Sequence, residues 1–137
     1  MWQRGIAGGG SGGAADTTFI YANPNSPSGY IEYNVQHDAD NKFYIIINMF
    51  NGANGTYLNN MHIYTKTSGG SYVEQTAWKG LTPLYVGKSS TGTYSTGFNA
   101  WIYEIKTGET GFFDVKQGMT IKLQVSTSTS GGVGMIY

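Results

Sequence analysis

The chain has 137 residues, enough for one domain with its own core and too short for a comfortable second one. Basic and acidic residues number eight each, make up 12% of the chain, and are accompanied by no cysteine. Cations scattered singly argue against a nucleic-acid partner, which needs clustered charge to displace counterions, the missing thiols exclude disulfides, thiolate metal sites and a cysteine nucleophile, and no apolar run approaches the roughly 20 residues that cross a bilayer.

The N-terminus reads MWQRGIAGGG and holds no 7–15-residue apolar stretch of the kind a signal peptide uses. Low charge with abundant Gly, Ser, Thr, Asn and Tyr is typical of exposed extracellular and virion β-proteins. A trimmed mature chain accounts for both observations. So does a virion protein, which lysis releases without an export signal. The expected location is the virion or the extracellular space.

Residues 1–16 form a Gly-rich arm. Its stretch GIAGGGSGGAA (5–15) cannot offset its ordering entropy by packing of its own. As a free coil it spans about 15–20 Å, and it tethers an apolar hook, Trp2 and Ile6, to the domain that follows. Docking of Trp2 and Ile6 into another subunit is the expected use, although GGGSGG also fits an engineered linker.

Residues 17–137 read as one β-domain. No window carries a 3.6-residue apolar period, and Gly or Asn punctuates the chain about every ten residues. TTFIYA (17–22) opens the domain, and the two prolines of NPNSPSG stop any helix. In GYIEYNV, Ile31, Tyr33 and Val35 alternate with Tyr30, Glu32 and Asn34, as in a half-buried strand. HDADN (37–41) makes a turn. KFYIIINMF (42–50) is apolar on both faces, as in a central strand covered on both sides. MHIYTKT and SYVEQTAW flank TSGG as a hairpin. PLYVG, FNAWIYEI, MTIKLQV and VGMIY supply the remaining strands. Eight or nine short strands at this spacing predict an antiparallel β-sandwich, jelly-roll-like in topology.

Catalytic raw material is thin. His37 lies in the HDADN turn, and His62 lies in a strand, facing opposite to Met61 and Ile63. Asp38-x-Asp40-Asn41 resembles the start of a calcium loop but lacks the downstream glycine and bidentate glutamate, so it reads as a polar turn whose side chains cap backbone amides. No metal and no cofactor is expected. Glu32, Glu74 and Glu104 sit on strands, where single solvent-face glutamates explain them better than a paired-carboxylate glycosidase site. Asn54-Gly55-Thr56 fits a glycosylation acceptor and, better, an Asn-Gly turn.

Aromatic residues are the unusual feature, at 15% of the chain with eleven tyrosines and three tryptophans. Phe43, Tyr33 and Trp101 are assigned to the core. Tyr72, Trp78, Tyr85 and Tyr94 lie near loops or strand ends, where amphipathic rings face partners, and are the candidate ligand-binding residues for a surface glycan. Tyrosine also suits sheet faces on its own account.

The segment GFFDVKQGMTIKLQVS (111–126), followed by the terminal GGVGMIY, resembles the C-terminal ends of phage fibre and spike-type virion β-domains. Phe113, Val115, Lys116, Gly118 and Ile121 carry the resemblance. It implies an assembled virion part that meets a host or another capsid protein, and it transfers no catalytic residue. The reading is therefore a non-enzymatic virion structural protein, a fibre, spike or decoration subunit that assembles through its arm with itself or another virion protein. A filament subunit built by strand addition and a carbohydrate-binding module are the alternatives, with neither nucleic acid nor membrane as a partner.

Overall fold

The computed structural model describes residues 17–50, 55–87, 98–126 and 131–137. The arm with Trp2 and Ile6, the sequon residue Asn54, and Tyr94 lie outside the described residues. Nine strands are present among them: β1 (Phe19–Ala22), β2 (Tyr30–Asn34), β3 (Lys42–Phe50), β4 (Met61–Lys66), β5 (Val73–Glu74), β6 (Tyr85–Gly87), β7 (Phe98–Lys106), β8 (Thr120–Val125) and β9 (Gly131–Ile136). Short 3-10 turns cover Pro27–Gly29, Gly55–Asn60 and Ala77–Gly80. None of these is long or apolar enough to cross a membrane.

The strands form two antiparallel sheets packed as a sandwich, a five-stranded one ordered β1-β9-β3-β7-β6 and a four-stranded one ordered β2-β8-β4-β5. β1 pairs with β9, β2 with β8, β3 with β7 and β4 with β5. The chain is thus a two-stranded ribbon folded at the β4–β5 hairpin, and successive ribbon pairs alternate between the sheets. The first and last described segments close on each other, because Thr18 and Tyr137 exchange backbone N–H···O bonds of 2.6 and 3.0 Å.

Alternation in the sequence decides what lies inside. Phe43, Ile45 and Ile47 of β3 meet Ile63 of β4 and Ile121 and Leu123 of β8 in one core, all fully buried. Each such side chain contributes about 1.5–3 kcal/mol by leaving water. β3 is central in its sheet, as expected, but only its inner face is sealed. Tyr44, Ile46 and Asn48 on the outer face remain half-buried. Tyr33 and Trp101 pack against the core as expected.

β9 carries glycine where a neighbour needs the room. A Cβ on Gly134 would meet the Tyr21 ring at 3.0 Å, the Phe19 ring at 3.1 Å and the Ile20 carbonyl at 2.9 Å, and one on Gly132 would overlap the Tyr21 ring and the Ala22 carbonyl. The stacked rings of Tyr21 and Phe19, 6.0 Å apart, therefore lean from the edge strand over a strand with no side chains in their way.

Candidate functional site

The outer face of the four-stranded sheet gathers the chemistry. Register places Tyr30, Gln124 and His62 in one cross-strand row, and Glu32, Lys122, Tyr64 and Glu74 in the next. Asn34, Thr120 and Lys66 make the third. On β2, β4 and β8 each of these residues alternates with one in or packed against the core, so the outward set follows from the inward one, while Glu74 on the short exposed strand β5 is placed by its pairing with Tyr64. Tyr72, just before β5, adds a ring to the same face.

Lys122 on the inner strand β8 is the hub. Its Nζ lies 5.0 Å from the centroid of Tyr30, 5.2 Å from Tyr64 and 5.4 Å from Tyr72, within cation–π range of all three. Lys66 adds a second ammonium 4.7 Å from the Tyr72 ring. The Tyr64 and Tyr72 rings meet edge-on at 6.4 Å, and Tyr64 stacks on the His62 imidazole at 6.1 Å.

The two carboxylates of the face are each held by a different partner. The Tyr72 hydroxyl donates to Glu32 Oε2 at 2.5 Å, a length typical of an O–H bond to a charged acceptor. His62 Nδ1–H donates to Glu74 Oε2 at 2.7 Å. Burial first, then the bond to Glu32 and its negative charge, push the Tyr72 phenol up to about 12. Burial, followed by the charge of Glu74, also raises Tyr64. Both phenols therefore stay neutral donors through the physiological range.

Three π faces, two cations, two carboxylates and an amide thus share one partly solvated face of the sheet. Aromatic faces of this kind can stack on the C–H face of a sugar, and ammonium, amide and carboxylate groups can hydrogen-bond hydroxyls. Glu32 and Glu74 stand three strands apart, roughly 14 Å between backbones.

The expected ligand platform needs correction. Tyr72 belongs to this face, but Trp78 does not face a partner at all. The 3-10 turn Ala77–Gly80 turns its ring inward, where it is 1% exposed, packs edge-on against Tyr103 at 5.5 Å, and donates its N–H to the Gln75 carbonyl at 2.7 Å. Tyr85 lies on β6, at the edge of the other sheet, opposite Ile102. Those residues make no common platform with Tyr72. Tyr30, Tyr64, Lys122, His62, Glu32 and Glu74 were not assigned from the sequence. The signal was present in the polar and aromatic residues that alternate with Ile31, Ile63 and Leu123.

The other chemistry-bearing groups serve the fold. His37 accepts from the Thr18 hydroxyl at Nε2 (2.8 Å), donates from Nδ1 to the Asp38 carbonyl (2.9 Å), and packs on Tyr137 at 4.7 Å. Asp38 of HDADN accepts the Gln117 backbone N–H at 2.8 Å, with Lys116 Nζ 4.0 Å away, so the turn caps an amide as its composition predicts. That amide belongs to the Val115–Gly118 turn, where Gly118 adopts φ +92° and donates its N–H to Val35 at 3.0 Å. Among the described residues no three His, Asp or Glu side chains converge. A hollow of about 350 Å³ beside this turn is lined by Thr65, Phe113, Asp114 and Met119, and it does not include the tyrosine cluster.

Comparison of the chain with family profiles, with curated proteins and with solved structures finds no match.

Proposed function

We propose that the chain is a non-enzymatic jelly-roll subunit of a virus particle that binds a saccharide on the outer face of its four-stranded sheet. The rolled ribbon, with pairs alternating between two sheets, is the arrangement by which jelly rolls are built, and that architecture serves capsid and lectin domains alike. The observation that carries the binding role is Lys122 held over three tyrosine rings on the outer face of the sheet. Assembly is assigned to the N-terminal arm, which precedes the edge strand β1.

A glycan array probed with the full chain, followed by calorimetry on the best ligand, tests the binding role. Tyr72→Ala and Tyr30→Ala should each weaken binding about 2- to 12-fold, the worth of about 0.5–1.5 kcal/mol per ring contact. No saccharide retained by the full chain, or retention unaffected by either substitution, refutes it.

A filament assembled by strand addition is the second reading. It is favoured by the backbone of β1, which among the described residues pairs only with β9 and leaves its other edge open. Light scattering separates the two, since a closed oligomer fits the virion subunit and a length-polydisperse species fits the filament.

A further inference from the structure

The two outer faces of the sandwich differ in kind. One is the polar and aromatic face described above. The other, on the five-stranded sheet, presents Phe19 and Tyr21 of β1, Ile136 of β9, Tyr44 and Ile46 of β3, and Ile102 of β7. Register makes these residues contiguous: Phe19, Ile136 and Tyr44 form one row, and Tyr21, Gly134, Ile46 and Ile102 the next. Phe19 is 58% exposed and the others are half-buried. The glycines under Tyr21 keep the surface flat. The opposite sheet instead carries charged and amide side chains among its tyrosines, so the apolar character is confined to this face.

We propose that this face receives the N-terminal arm of a neighbouring copy, with Ile6 seated on Ile102 of β7 and Trp2 on Tyr21 of β1, three strands away in the same row. The proposal rests on the assembly role assigned to the arm above and adds the surface it docks on. Size favours an arm over a whole second domain. Two rows across four strands cover roughly 300 Å², given strand spacings of about 4.8 Å. A stable interface between globular copies needs about 800 Å² from each partner. One tryptophan buries about 150–250 Å², so Trp2 and Ile6 match the patch.

Spacing and charge agree with that choice. In an extended segment Trp2, Arg4 and Ile6 point to one side, with Trp2 and Ile6 about 13 Å apart, nearly three strand spacings. Arg4 then projects toward the sheet that carries Glu104, the outward carboxylate facing Tyr44 in the ladder and bridged to Lys42 at 3.4 Å. Reach is sufficient as well. The twelve residues between Ile6 and Phe19 extend to about 40 Å at most, against a domain diameter of about 35 Å.

The chain has no cysteine, so engineered thiols report the contact without background. Ile6→Cys and Ile102→Cys are made as separate full-length chains, mixed, and oxidised. Ile6→Cys mixed with Asn34→Cys, on the outer face of the opposite sheet, is the control. The expected result is a disulfide-linked pair of chains at about tenfold or more the control yield. In parallel, Ile46→Lys in the full chain should weaken self-association about tenfold or more while leaving the circular dichroism spectrum unchanged. Equal yields in both mixtures overturn the proposal. Closure within single chains carrying both Ile6→Cys and Ile102→Cys, with no link between the mixed single-cysteine chains, shows the arm docking on its own domain and overturns it too. Self-association lost on deleting residues 1–16 but untouched by Ile46→Lys keeps the arm's assembly role and rejects this surface.

Discussion

Replacing Lys122 with methionine tests the centre of the tyrosine face on the four-stranded sheet. Met keeps an unbranched stem of similar length, so the packing of the Lys122 aliphatic chain against its neighbours is largely retained and the charge alone is removed. Three ring centroids lie 5.0, 5.2 and 5.4 Å from the ammonium. A cation–π contact at an exposed or half-exposed position contributes about 0.5–1 kcal/mol. The three share one cation, so Lys122→Met should cost about 1–2 kcal/mol, or a fall in Tm of about 4–8 °C for a domain of this size. A double-mutant cycle with Tyr72→Leu isolates one contact and should return a coupling of about 0.5–1 kcal/mol. Lys66→Met is the companion variant, because Lys66 touches only the Tyr72 ring of the three. Additive losses in the Lys122–Tyr72 cycle, or a Lys122→Met chain as stable as the parent, would show that the cage is a coincidence of register.

Trp78→Ala should cost about 3–5 kcal/mol, as large aromatic deletions from a core do, and Trp78→Phe, milder in stability, should leave saccharide binding unchanged by calorimetry. Gly118→Ala should lose about 1–2 kcal/mol in urea melts although nothing lies within 4 Å of the added methyl, because φ is +92° and only the backbone objects. Spectrophotometric titration of Tyr72→Phe should lose a tyrosine that ionises near 12 rather than near 10. Because the folded-state value is raised, the stability Tyr72 gains from staying neutral is fully present below pH 10 and is lost as pH rises toward 12, so the gap between parent and variant should be flat at pH 7–9 and narrow above pH 10.

Much of the fold was legible because alternation reports burial directly. KFYIIINMF and β3 coincide from Lys42 to Phe50, and the β4–β5 hairpin falls around TSGG as composition predicts. Glycine misled the reading at the other end. Gly131 and Gly132 carry turn-like composition yet open β9, because that strand must lie flat beneath Tyr21. The outer face of β3 was expected to be covered, and its apolar residues are half-buried instead. A run of isoleucines makes both faces of a strand apolar without requiring that both be covered.

The tyrosine and lysine face was illegible for a different reason. Period-two alternation states which residues share a side of one strand, and it correctly pairs Tyr30 with Glu32, His62 with Tyr64, and Lys122 with Gln124. It carries no information on which strands are neighbours. Lys122 touches Tyr30 only because β8 lies beside β2, and Tyr64 only because β8 also lies beside β4. Those adjacencies join segments 58 to 92 positions apart and follow from the ribbon's rolling, a property of the whole chain. Trp78 failed for the converse reason. Its neighbours Ala77, Lys79 and Gly80 give no periodic signal, so nothing local announces that a 3-10 turn directs the ring onto Tyr103. A lone aromatic in an aperiodic turn is therefore weak grounds for a binding site. An aromatic that alternates with core residues beside a cation on the next strand is better grounds, and Tyr64 with Lys122 is that case.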